Sequence, residues 1–137
     1  LEQIQNGKAF NKLEQWIQKQ GGDISYLEDT QKFEKAKYVI PVISNKSGYV
    51  KKLDAQQIGM ASMNLGAGRK KKEDNIDFKV GIILKKKVSS KIEQNETLAY
   101  IHTDDETLGQ KIAQDVLKAY TIVDEIVEKK QDILKIV

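Results

Sequence analysis

Four groups of residues in this chain have types that could do chemistry. The stretch SMNLGAGRKKKEDNIDF, residues 62–78, carries two glycines around an alanine, then four cations, then the acids Glu73, Asp74 and Asp77. Backbone N–H groups and cations in such a loop can cradle a phosphate. A second basic run, Lys85-Lys86-Lys87, has no interleaved aromatic residue on which a base could stack. His102 is the only histidine, so it would have to be the base of any nucleophile–histidine pair, yet LAYIHT places it in a strand pattern beside no nucleophile motif. Asp104, Asp105 and Glu106 lack the regular oxygen-ligand spacing of a calcium loop, and with one histidine and no cysteine no metal site is assigned.

The elements around these groups decide between the readings. Asp54 and Gln57 have the spacing of a capping box, and Ile58, Ala61, Ser62 and Leu65 share one stripe of a helix expected over about 55–65. The glycine loop therefore follows a helix, whereas phosphate loops follow a strand and open one. Gly66 and Gly68 are expected to take the positive φ that ends a helix, and the charges beyond them to form a solvated loop. YVIPVIS and YVKKLDA, joined by NKSG, read as strands, with Pro41 marking a sheet edge or strand end. DFKVGIILKKKV and ETLAYIHT read as two more, linked through SSKIEQN, with Gly81 suggesting a bulge or close backbone approach. Leu108, Ile112 and Val116 mark a second amphipathic helix, with Thr107 and Gln110 as its capping box, and YTIVDEIV is a last extended piece. Helices and antiparallel strands in this order give an α+β domain.

Ahead of it, Phe10, Leu13, Trp16 and Ile17 form one face of a helix that Gly21-Gly22 stops. The polar segment DISYLEDTQKFEKAK offers that face little to pack on. Together with a start at Leu1, this is the expectation for a fragment whose helix belongs to a larger preceding domain.

With 23 basic and 20 acidic residues the net charge is only +3, and acids and lysines are interleaved, which argues against a dedicated nucleic-acid binder. Absence of cysteine excludes disulfides and thiolate chemistry. No apolar run approaches the ~20 residues of a membrane helix, and no signal peptide is visible, so a cytoplasmic protein without membrane association is expected.

GKAFNKLEQWIQKQGGD, SGYVKKLDAQQIGMASMNLGAGRKKKEDNIDFKVGI and KIEQNETLAYIHTDDE resemble, in order, the C-terminal part of bacterial pyrimidine-nucleoside and thymidine phosphorylases. The Gly-Ala-Gly-Arg segment followed by Glu73-Asp74, Ile76-Asp77 and Gly81 carries the resemblance most specifically. It implies a full-length pentosyltransferase of pyrimidine salvage, with phosphate attacking C1 of uridine, deoxyuridine or thymidine to give free base and (deoxy)ribose 1-phosphate. The family's phosphate and base residues lie upstream, so no catalytic or cofactor-binding residue is assigned to this chain, and phosphate is a co-substrate of the full enzyme only. The resemblance implies that residues 1–35 end the large α/β domain and that 36–137 are a C-terminal α+β domain of hammerhead type, with mixed or antiparallel strands and two helices. It further implies the upstream α/β domain as partner within a homodimer. Gly66, Gly68, Arg69, Glu73, Asp74 and Asp77 then read as a closure loop. In it the glycines turn the chain, Arg69 reaches the adjoining domain, and the acids partner the loop's own cations.

A lipoyl- or biotinyl-type carrier domain is the alternative, since SGYVKKLDA and VSSKIEQNETLAYIHTDDE are similar to the half-motifs of such domains. Where carriers have the modified lysine this chain has Asp105, which has no amine to acylate. A basic RNA-binding module would rest on the two lysine runs alone.

Overall fold

The computed structural model describes residues 1–129. Chain contacts divide it into two compact units, one spanning Leu1–Glu34 and the other beginning at Lys35.

The first unit is a string of short helices: α1 (Glu2–Gln5), α2 (Lys8–Lys19), α3 (Ser25–Glu28) and a 3₁₀ turn over Thr30–Lys32. Near the starts of α2, α3 and the 3₁₀ turn, short polar side chains accept from nearby backbone N–H groups. Asn6 accepts from Lys8, Asp23 from Ser25 and Asp29 from Gln31, at 3.1, 2.8 and 2.9 Å. The segment 23–37 is thus more structured than its polarity suggests, and the Tyr26 and Phe33 rings pack in a tilted pair, 5.0 Å apart between centroids and 58° between planes. None of the helices in this unit buries a residue. Phe10, Leu13 and Trp16 lie exposed along α2.

The second unit contains β1 (Tyr38–Ile43), β2 (Gly48–Leu53), α4 (Ala55–Ser62), β3 (Gly81–Leu84), β4 (Lys91–Ile92), β5 (Thr97–Thr103), α5 (Glu106–Lys118) and β6 (Tyr120–Val123). The strands form two three-stranded sheets, β1-β5-β3 and β4-β2-β6, and every pairing is antiparallel. No parallel pair occurs among the described residues, so the mixed sheet allowed by the sequence reading gives way to two purely antiparallel ones. β4 is a strand that the sequence reading left inside a connection; two residues are too few to show alternation. Pro41 lies on β1 at a sheet edge, where its missing N–H leaves no ladder bond unmade.

Alternation along β1 and β5 turns Ile40, Val42, Ala99 and Ile101 inward, where α5 covers them with Ile112, Ala113 and Val116. Each fully buried aliphatic chain contributes roughly 1.5–3 kcal/mol. Gly109 lets the helix approach closely, since a Cβ there would come within 2.7 Å of Thr103 Cγ2 and closer still to Ile40 Cδ1. Both capped helices start at an aspartate. Asp54 accepts from Gln57 N at 3.1 Å, while its own N–H donates to Ala119 O rather than to the Gln57 side chain, so the box is one-sided. α5 is capped by Asp105, which accepts from Leu108 N at 3.0 Å. The Thr107–Gln110 box is therefore not formed, because Thr107 already lies inside the first turn. Gly81 shows neither a bulge nor a close contact. Register shifts fall instead between Val42 and Ile43 and between Val50 and Lys52.

Candidate functional site

The glycine loop connects α4 to β3. α4 does not end at a simple cap: it widens into a π-type turn over Met63–Ala67, inside which Gly66 takes φ 111°. That left-handed value suits glycine and terminates the helix. Gly68 is extended, with φ −152° and ψ 166°, so one glycine, not two, makes the turn.

Beyond Gly68 the loop is held by hydrogen bonds to its backbone. Asp74 Oδ2 accepts from the N–H groups of Lys70 and Lys71 at 3.0 and 2.9 Å. Asp77 N–H donates to Gly66 O at 3.0 Å, closing the loop at its base, and Asp77 Oδ1 accepts from Lys79 N at 2.9 Å. No ion pair joins Arg69 or Lys70–Lys72 to Glu73, Asp74 or Asp77. The expected pairing of the acids with the loop's cations is thus replaced by acids bonded to the backbone. An Asx-type bond fixes a turn at little side-chain entropy cost, whereas an exposed pair of long side chains contributes little. The tip consequently presents Arg69 and three lysines without an ion pair to an acid of the loop.

A clasp secures the end of the loop. Lys79 Nζ lies 2.8 Å from Asp104 Oδ2, and Asp104 Oδ1 accepts from Lys37 N at 2.8 Å. The Lys79 hydrogen bond, followed by the Lys37 N–H, holds the Asp104 carboxyl below its ordinary range. The clasp is complete at neutral pH and is lost as pH falls through that depressed value. Phe78, between the two anchors Asp77 and Lys79, is 93% exposed. Its sequence gives no warning of this, because the alternation of DFKVGIIL reads as a strand from Asp77, while β3 starts only at Gly81.

The other residues with chemical potential have structural roles. His102 lies half-buried in β5 between Val39 and Gly81. Asp105 is a helix cap and the strand before it leads into α5, so the hairpin that presents a carrier's lysine is absent at this position. Lys85 stands 5.7 Å from the centroid of the Tyr100 ring, giving that basic run an aromatic neighbour from another strand that its own sequence does not contain. Lys86 pairs with Glu96, whose carboxyl it holds below the usual range. Among the described residues no group of three or more His, Asp and Glu is placed to hold a metal, and no helix is long and apolar enough to cross a membrane.

The class these features define is a two-sheet α+β domain that presents a pinned, cationic loop. The chain belongs to the pyrimidine nucleoside phosphorylase C-terminal domain family, which it matches over residues 49–123. It is 44% identical over 104 residues to the pyrimidine-nucleoside phosphorylase of Staphylococcus epidermidis, covering 76% of this chain and 24% of that protein. With the Bacillus subtilis pyrimidine-nucleoside phosphorylase it shares 42% identity over 113 residues, 82% of this chain and 26% of the relative. The Staphylococcus aureus protein of that name is 39% identical over 127 residues, covering 93% and 29%. The chain therefore spans about a quarter of the length of the curated relatives it matches.

Proposed function

We propose that this chain is the C-terminal part of a cytoplasmic pyrimidine-nucleoside phosphorylase, a pentosyltransferase that uses inorganic phosphate to split uridine, deoxyuridine or thymidine into free base and (deoxy)ribose 1-phosphate. The observation that carries this reading is the family match together with the 39–44% identity to three phosphorylases named for that substrate class. In this reading residues 1–35 complete an upstream α/β domain of the same chain, the whole enzyme is a homodimer, and phosphate and base are held by upstream residues. The pinned loop serves closure. Its backbone is fixed at Asp74 and Asp77, so Arg69 and its neighbours approach the adjoining domain without ordering the loop anew.

A chimera tests both levels. The C-terminal quarter of the Bacillus subtilis relative is replaced by residues 1–137, and phosphate-dependent release of uracil from uridine is followed. The chain alone releases no uracil, and the chimera does. Uracil release by the lone chain, or a well-folded chimera without activity, overturns the reading. In the chimera, Arg69→Ala removes a charged hydrogen bond made in the closed state, a loss of about 1–3 kcal/mol. Turnover then falls more than phosphate affinity does. A normal rate at saturation with a large rise in the phosphate Kd, measured by calorimetry, would instead make the loop a phosphate grip.

A further inference from the structure

A groove of about 730 Å³ opens between the end of β2, the connection from β3 to β4, and residues 127–129. Small-molecule sites have about 300–1,000 Å³. Leu53, Leu84 and Val88 give it an apolar floor. Lys51, Lys52, Lys87 and Lys129 stand around it, against one acid of the lining, Glu128. Lys52 is paired with Asp54 at 2.9 Å, whereas Lys51, Lys87 and Lys129 have no carboxylate partner among the described residues.

Two backbone irregularities converge here. In a regular strand Lys51 and Lys52 would project to opposite faces. The register of β2 against β6 shifts between Val50 and Lys52, and both lysines line the groove. Bulges of this kind re-aim side chains and are enriched beside functional sites. Ser89 has φ 73°, a left-handed value uncommon outside glycine. It is held there by its N–H on Val50 O at 2.8 Å and its Oγ on Glu128 O at 3.0 Å, which tie two walls of the groove together. Strain of this sort persists only where its surroundings impose it, and it concentrates at binding sites.

We propose that this groove binds a phosphorylated small molecule with an apolar or planar body. Three lysines without a carboxylate partner among the described residues line one concave surface and favour a multiply charged anion, for which lysines act as mobile point charges. The apolar floor adds contact that inorganic phosphate cannot use. An extended acidic peptide fits less well, because a concave groove of small-molecule size with an apolar floor holds a compact anion. The site is separate from the closure loop and does not depend on the phosphorylase reading.

The test uses the 137-residue chain, with uridine 5′-diphosphate and inorganic phosphate as probes at low ionic strength, followed by amide chemical shifts and calorimetry. Uridine diphosphate shifts residues 50–53 and 87–89 saturably and binds at least tenfold tighter than inorganic phosphate. Lys51→Gln and Lys87→Gln each weaken it at least threefold, Lys118→Gln on α5 leaves it unchanged, and Val88→Ser removes most of the preference over phosphate. These are exposed positions, and a far-UV spectrum confirms that each variant folds. Equal weak affinity for both probes, or equal losses from Lys118→Gln and Lys87→Gln, overturns the proposal in favour of diffuse surface charge. Displacement of uridine diphosphate by a lower concentration of poly-glutamate overturns it in favour of an acidic protein partner.

Discussion

Tyr120 links elements through a single phenol. Its hydroxyl lies 3.0 Å from Lys86 O and 3.2 Å from Leu98 O, so β6 is fastened to β5 and to the segment following β3. Burial pushes its pKa up to about 12, from an ordinary value near 10. A raised pKa means that the folded state favours the neutral phenol. Its contribution is complete below pH 10 and is lost as pH rises toward 12. Tyr120→Phe removes a shared hydrogen bond at a cost of about 1 kcal/mol at neutral pH. It also removes this titration. The gap in Tm between the wild type and the variant should therefore narrow from pH 8 to 11.5, and the comparison cancels the lysines that titrate in the same range. A constant gap would show that the phenol is not held in its neutral form.

At the scale of elements, Gly48 decides how β2 begins. Its φ is 140°, and a Cβ there would contact Val123 O of the neighbouring strand well inside van der Waals range. The obstacle is backbone and cannot rotate away. Gly48→Ala is expected to destabilise the second unit by about 2–3 kcal/mol, combining left-handed strain with overpacking, as measured by urea denaturation. An unchanged midpoint would mean that β2 and β6 separate at negligible cost. In the sequence this glycine is only the end of NKSG, a turn signal. The periodic elements were legible there, since Ile112 and Val116 or Ile40 and Val42 repeat on one face over several residues. What was hidden depended on neighbours distant in sequence. Asp105 caps α5 because β5 delivers the chain in an extended conformation, Asp74 takes two backbone N–H groups instead of a lysine, and β3 starts only at Gly81, opposite His102 near the end of β5. Phe78 lies ahead of β3 and is exposed, and no local pattern encodes it.

At the scale of the whole molecule, the two units differ in what holds them. The unit beginning at Lys35 has one continuous apolar core. Residues 1–34 have an amphipathic α2, yet no buried side chain on any helix. Isolated helices shorter than about 12–15 residues are marginal in water, and α2 has 12. Deuterium labelling should expose this contrast. In the lone chain, amides of α2 exchange through local opening, while those around Ile112, Ala113 and Val116 in α5 wait for global unfolding. Equal protection of the two helices would contradict it. The exposed face of α2 thereby becomes a reporter: slowed exchange at Phe10, Leu13 and Trp16 in the chimera would register docking on the preceding domain even when no nucleoside is present to be cleaved.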